Sequence, residues 1–289
     1  MNYVLFSIGK FPEYFRYTIN TIKSVDRNAV IYLCSDVDTK NIFKDIHFIN
    51  INELKNEKIE TIKNLNLYKN TIFEPNPLWE SSLLRIFYLE SIILKLGINQ
   101  FVHFDNDVLI YKSFNEVEKL ISNDKFNITR ASDKRFVFGY SFVSNLLSLS
   151  KITKSIINIA NYSIKHNWSF NYGKPFNEMD FLGKVYTDEN HLFNCLPTLP
   201  YYSNKIFDPS SYGQFLDGTH SHPKKLLSGR YININHTIGR EILAGRIKVK
   251  FSNNSPKLIW ENTSFEVVNL HIHSKRLHKF LPKEYKEYF

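Results

Sequence analysis

The chain has 289 residues, enough for one large α/β domain or two modest ones, and 43% hydrophobic with 22% charged residues excludes global disorder. The formal net charge of +9 suits an anionic partner such as nucleic acid, a membrane surface or a phosphorylated small molecule. The basic residues are dispersed, with no Lys/Arg block and no nucleic-acid-binding motif, so no nucleic-acid partner is expected.

The N-terminal MNYVLFSIGKFPEYF lacks the basic region and long apolar stretch of a secretory signal. Two cysteines, Cys34 and Cys195, both lie in apolar surroundings, and the expectation is a cytoplasmic protein with reduced, buried thiols. YVLFSIG (3–9) predicts a strand, residues 12–24 a helix, AVIYLCS (29–35) and IHFINI (46–51) two further strands, and 53–66 a helix. Residues 79–96 predict an amphipathic helix, and the apolar segment 83–98 is broken by Arg85, Glu90 and Lys95, so it is not a membrane span. FVHFD (101–105) returns as a strand. This alternation predicts a Rossmann-like, mostly parallel central sheet covered by helices, which binds ligands at the carboxyl ends of its strands.

Beyond residue 113 the pattern loosens. FNITRA (126–131) and FVFGYSFVS (136–144) read as strands, 145–166 as a helix, and a further helix runs through residue 189. The segment 200–240 reads as loop and short strand, and FEVVNLHIHS (265–274) as a strand. The expectation is a single domain over 1–289, residues 1–113 being the nucleotide-binding half and 114–289 a more irregular acceptor-side half.

FVHFDNDVLIYKS (101–113) sets Asp105 and Asp107 in an otherwise apolar run. Buried carboxylates two residues apart on one strand face repel each other unless something positive sits between them. Two hard oxygen ligands with open positions suit Mg²⁺ or Mn²⁺; Ca²⁺ or a solvated turn would also be compatible. HIHSK (271–275) places His271 and His273 on one face of an extended segment, followed by Lys275. One imidazole completes a metal site, favouring Mn²⁺, and Lys275 offers a point charge to a phosphate.

WESSLLRIFYLESIILKLGINQFVHFDNDVLIY followed by the late HIHSK resembles the metal-dependent GT-A glycosyltransferases, in particular glycogenin-like and bacterial galactosyltransferase-like members. HIHSKRL and FDPSSYGQFLDG resemble small glycosyltransferases of surface-polysaccharide and large-virus gene sets. The resemblance implies a nucleotide-sugar donor, a glycan or lipid-linked acceptor and a Mn²⁺ or Mg²⁺ cofactor, with peripheral membrane contact left open. It implies Arg85 on the donor, Asp105 and Asp107 with His271 or His273 on the metal, and Lys275 on the diphosphate. Glu178 and Asp180 in FNEMDFLG match the place of an acidic residue that faces the reacting sugar, though both also suit a helix N-terminus.

Ser7 and Gly9 end the first strand, where the nucleotide usually passes, although Gly9 also serves as a turn glycine. Asp36 and Asp38 suit either a base or ribose contact or a helix cap. Asp208 and Gln214 are candidates for the acceptor side, and Trp79 and Trp168 for sugar stacking or core packing. The expected activity is that of a hexosyltransferase-type enzyme with UDP as the commoner nucleotide. The rival readings are a metal-dependent hydrolase or nucleotidyltransferase, and a basic carbohydrate- or nucleic-acid-binding module without catalysis.

Overall fold

The structure, a computed structural model, describes residues 1–38, 42–43, 45–69, 74–166, 177–219 and 230–289. Its first half alternates β1 (Asn2–Ser7), α1 (Phe15–Val25), β2 (Val30–Ser35), β3 (His47–Asn50), α2 (Glu57–Asn64), α3 (Leu78–Leu96), β4 (Phe101–His103) and β5 (Val108–Ile110). The short helix α4 (Phe114–Val117) leads to β6 (Phe126–Ser132), β7 (Arg135–Val143), α5 (Leu146–Lys165), α6 (Glu178–Glu189) and β8 (Phe193–Leu196). Then follow β9 (Lys205–Ile206), α7 (Ser211–Asp217), α8 (Thr237–Leu243), β10 (Ile247–Ser252), β11 (Ser255–Trp260), β12 (Thr263–Val267) and β13 (Asn269–His271).

Seven strands form the central sheet in the order β3-β2-β1-β4-β7-β6-β8. The pairs β3–β2, β2–β1, β1–β4 and β6–β8 are parallel, and β7 runs antiparallel to both β4 and β6. The mostly parallel, helix-flanked α/β sheet expected from the sequence is therefore present. Its strands are buried on both faces and read as near-continuous apolar runs. In β1, Tyr3 and Leu5 pack toward α1, while Val4 and Phe6 pack toward α2 and α3. The chain moves outward from β1 to β3, then returns to place β4 on the other side of β1. That reversal opens a crevice at the carboxyl ends of β1 and β4, the usual ligand position in such sheets.

A second layer holds the four-stranded sheet β10-β11-β12-β9 and the antiparallel pair β5–β13, which sets Val108 opposite His271. Its core contains Leu109, Tyr212, Ile238, Leu258, Leu270 and Ile272.

Several sequence expectations are corrected. The strand expected over 101–105 ends at His103, where the chain turns before β5: Asp105 N–H donates to Phe138 O at 2.8 Å and Val108 N–H to Asp105 O at 3.2 Å. The strand expected over 265–274 is two, β12 and β13, belonging to different sheets. The segment 200–240 contains α7 and the start of α8, which its Tyr, Ser, Gly and Asn content concealed. Within 53–66 only residues 57–64 are α-helical, after a 3₁₀ turn at Ile51–Glu53. Cys34 is buried as expected, whereas Cys195 is half-buried beside Tyr186; both thiols are free. Among the described residues, no helix is long and apolar enough to cross a membrane.

Candidate metal and donor site

The turn between β4 and β5 carries Asp105-Asn106-Asp107 to the crevice edge. Thr18 of α1 secures it by donating its hydroxyl to Asn106 O at 2.7 Å. On the facing strand, Ile272 N–H donates to Asp107 O at 2.8 Å, which draws the end of β13 against the acidic turn.

Side chains of both signs meet there. His271 Nε2 lies 3.1 Å from Asp107 Oδ1 and 3.5 Å from Asp105 Oδ2. Lys275 makes an ion pair with Asp107 Oδ2, and its Nζ is 5.5 Å from the Tyr14 ring centroid. Arg85, from α3, makes an ion pair with Asp105, and its guanidinium lies 4.4 Å from the Phe138 ring centroid. Its Nη2 is 4.0 Å from Glu178 Oε1 at the first turn of α6. The His271 and His273 rings are 4.6 Å apart.

These charges set one another's protonation. Burial works against the charged form of Asp107, but His271 and Lys275 hold its carboxyl well below the usual range. Asp105 is lowered against burial by Arg85 and His271. For His271, burial is outweighed by the two carboxylates, which raise its pKa. For His273, burial and the neighbouring His271 outweigh the pull of Asp107 and Asp105 and bring it down to about 3, leaving a neutral imidazole. Glu178 is pushed up to about 7 by burial, with Arg85 opposing and Asp105 adding to the rise.

Among the described residues, three buried polar atoms of this cluster have no hydrogen-bond partner: Arg85 Nε, Glu178 Oε2 and His271 Nδ1. Each unsatisfied group costs about 1–3 kcal/mol, a concentration of cost expected where a ligand binds. Ligand atoms of Asp107, His271 and His273 lie within 4.8 Å of one another. A carboxylate with two imidazoles, and a second carboxylate adjoining, is a donor set that fits Mn²⁺.

The remaining sequence candidates are placed less directly. Ser7 and Gly9 lie at the carboxyl end of β1 and Asp36 at that of β2; Gly9 adopts φ +77°, and its N–H donates to Asp36 Oδ1 at 2.8 Å. Asp38 lines a 460 Å³ cleft with Asn50 and Lys95 at the β3 edge. Asp180 pairs with Arg135 Nε at 3.3 Å, so of the two acidic candidates on α6 it is Glu178 that reaches Arg85. Trp79 is half-buried in the first turn of α3, and Trp168 lies outside the described residues.

The expectation that Asp208 lines the acceptor side is overturned. Asp208 has no exposed surface, and its carboxylate accepts backbone N–H bonds from Ser210, Tyr212, Gly213 and His271. Gln214 is 5% exposed. Sequence reading missed Tyr14, Thr18 and Phe138 at this site; an aromatic or hydroxyl residue in an apolar pattern carries no mark of such a position.

No protein-family model matches the chain, and no curated protein matches its sequence. Among solved structures it is similar to mouse xyloside xylosyltransferase 1 in its apo form, at 10% identity over 71% of this chain and 88% of that one, with a TM-score of 0.46. It is similar to the PaToxG glycosyltransferase at 15% identity, covering 65% and 69% of the two chains, with a TM-score of 0.44. A third similar structure is the galactosyltransferase LgtC in complex with donor and acceptor sugar analogs, at 14% identity, 80% and 82% coverage and a TM-score of 0.43. All three are glycosyltransferases of the GT-A type, the class the sequence resembles. At these identities and scores the likeness assigns neither a site residue nor a substrate to this chain.

Proposed function

We propose that the protein is a metal-dependent glycosyltransferase that moves a hexose-type sugar from a nucleotide-diphosphate donor, UDP being the first candidate, to a glycan or lipid-linked acceptor. In this reading residues 1–289 act as one domain, with the donor half in 1–113 and the acceptor half in 114–289. The observation that carries it is the meeting of Asp105, Asp107, His271 and Lys275 at the crevice, with Arg85 bridging toward Glu178.

Asp107, His271 and His273, with Asp105 alongside, would hold Mn²⁺ or Mg²⁺. When bound, the ion supplies Lewis-acid stabilisation of the negative charge that develops on a diphosphate leaving group. Lys275 and Arg85 exchange part of their carboxylate pairing for the diphosphate oxygens and orient the donor. Glu178 accepts the hydrogen bond of the acceptor hydroxyl, and a pKa near 7 suits it to take that proton at neutral pH. The bond from sugar carbon to diphosphate oxygen breaks with its electron pair leaving on the diphosphate. A bond from the acceptor oxygen to the sugar carbon forms, and the hydroxyl proton passes to Glu178.

The test is a thermal-shift series with UDP, GDP, CDP and dTDP, each with Mn²⁺, Mg²⁺ or EDTA. A ligand that binds only the folded state raises the melting temperature. Stabilisation by one nucleotide that needs metal and is lost in Asp107→Ala supports the reading. No shift with any nucleotide and metal overturns it. A product carrying the whole sugar then separates transfer from hydrolysis and nucleotidyl transfer.

A further inference from the structure

Asp208 is fully buried in the second layer, and its carboxylate is taken up by backbone hydrogen bonds. Its Oδ1 accepts the Ser210 and Tyr212 N–H groups at 2.8 and 2.9 Å, and its Oδ2 those of Gly213 and His271 at 2.8 and 3.1 Å. The first three donors belong to the start of α7, and the fourth is the backbone of the site histidine. Asn269 locks the same carboxylate's residue in place: its Oδ1 accepts Asp208 N–H at 3.1 Å, and its Nδ2 donates to the carbonyls of Asp208 and Gly139 at 2.9 and 3.0 Å.

Gly213 completes the brace from the opposite side of the peptide. A Cβ there would sit 2.1 Å from His271 O, so α7 rests directly on the β13 backbone, and only a glycine permits that approach. The peptide groups flanking His271 are thus fixed at the N–H by Asp208, at the C=O by Gly213, and one residue on by the Ile272–Asp107 bond at 2.8 Å.

We propose that Asp208 and Gly213 are positioning residues for the divalent-metal site, holding the backbone of His271 so that its imidazole faces Asp107 and Asp105. The inference rests on the metal-dependent reading above. Asp208→Asn keeps the shape but offers one oxygen where two are used, so an NH₂ must face either Ser210 and Tyr212 or Gly213 and His271. Gly213→Ala displaces the same peptide without removing a polar group.

Direct Mn²⁺ titration of the nucleotide-free protein tests this, by isothermal calorimetry or by the electron paramagnetic resonance signal of free Mn²⁺, well below each variant's melting temperature. Both substitutions weaken Mn²⁺ binding by about 10–100-fold, the range for groups that orient a metal ligand. Ile59→Ala, in the buried face of α2, serves as the comparison: it lowers the melting temperature and leaves Mn²⁺ affinity unchanged. If Asp208→Asn does not fold, Gly213→Ala carries the test. Variants that melt lower but bind Mn²⁺ as tightly as the wild type overturn the positioning role. A wild type that binds no Mn²⁺ overturns the metal reading itself and this inference with it.

Discussion

Lys275 and Asp107, separated by 168 positions in the chain, are joined as an ion pair, and Lys275 reaches its partner from a left-handed backbone conformation with φ +63°. For a lysine that conformation is uncommon and costs of order 1–3 kcal/mol. Its N–H donates to Ile272 O at 2.9 Å, and Asp217 holds the flanking residues by accepting from Ser274 Oγ at 2.6 Å and Arg276 Nε at 2.7 Å. The loop therefore presents one ammonium to one carboxylate.

The two aspartates should not be equivalent. Asp107 shares the site with both imidazoles, whereas Asp105 lies against Arg85. Asp107→Ala should weaken Mn²⁺ binding by more than about 100-fold, and Asp105→Ala by about 10-fold, bracketing the usual effect of a metal's outer partners. Calorimetric titration of the two variants distinguishes them. Equal losses would show that both carboxylates bind the ion alike.

Metal binding should release a proton. His271 has a pKa raised above its ordinary 6.5 by Asp107 and Asp105, so at pH 6.5 the metal-free protein carries it mostly charged. Coordination requires the neutral ring. Mn²⁺ affinity should therefore rise with pH through the His271 pKa and become flat above it. Titrations at pH 6.5 in buffers of different ionisation enthalpy count the proton. The released proton should be lost in His271→Gln, whatever dependence remains being that of Glu178.

Glu178 should make the metal-free protein less stable as pH rises. Its pKa is 4.5 when unperturbed and about 7 in the fold. Between those values the folded chain keeps a proton that the unfolded chain has lost, so stability falls through the window and levels off above it. Denaturant titrations at pH 5 and pH 8 should show wild type losing about 3 kcal/mol relative to Glu178→Gln. Parallel behaviour would mean that the carboxyl is already ionised at pH 5.

Arg85→Lys should not be conservative. A lysine cannot lie flat on Phe138 while bridging Asp105 and Glu178, contacts the guanidinium makes together. Because Arg85 is the charge that opposes the rise in the Glu178 pKa, any loosening should move the alkaline-rising limb of transfer activity to higher pH. Loss of one oriented donor at the leaving group is worth about 100-fold in rate. A pH–rate profile of the variant measures both effects.

The candidate site was legible where chemistry is carried by rare residue combinations. Asp105 and Asp107 stood out because carboxylates are costly in an apolar run, and His271, His273 and Lys275 because they crowd one strand end. The β–α alternation likewise announced the parallel sheet. The strand before the aspartates was read two residues too long, since Phe104 continues the apolar run past the turn after His103. Asp208 was misread for a related reason: a carboxylate satisfied by four backbone N–H groups looks in sequence like one awaiting a ligand.

The pairing of β5 with β13 also bears on biosynthesis. A nascent chain made as far as residue 260 already contains both aspartates, but not the strand that brings the histidines and Lys275 to them. Contacts this distant in sequence form late, after shorter loops have closed. The candidate ligand set is thus withheld until the two halves of the polypeptide have found each other, and an incompletely translated product would carry the two aspartates without the histidines and lysine that meet them.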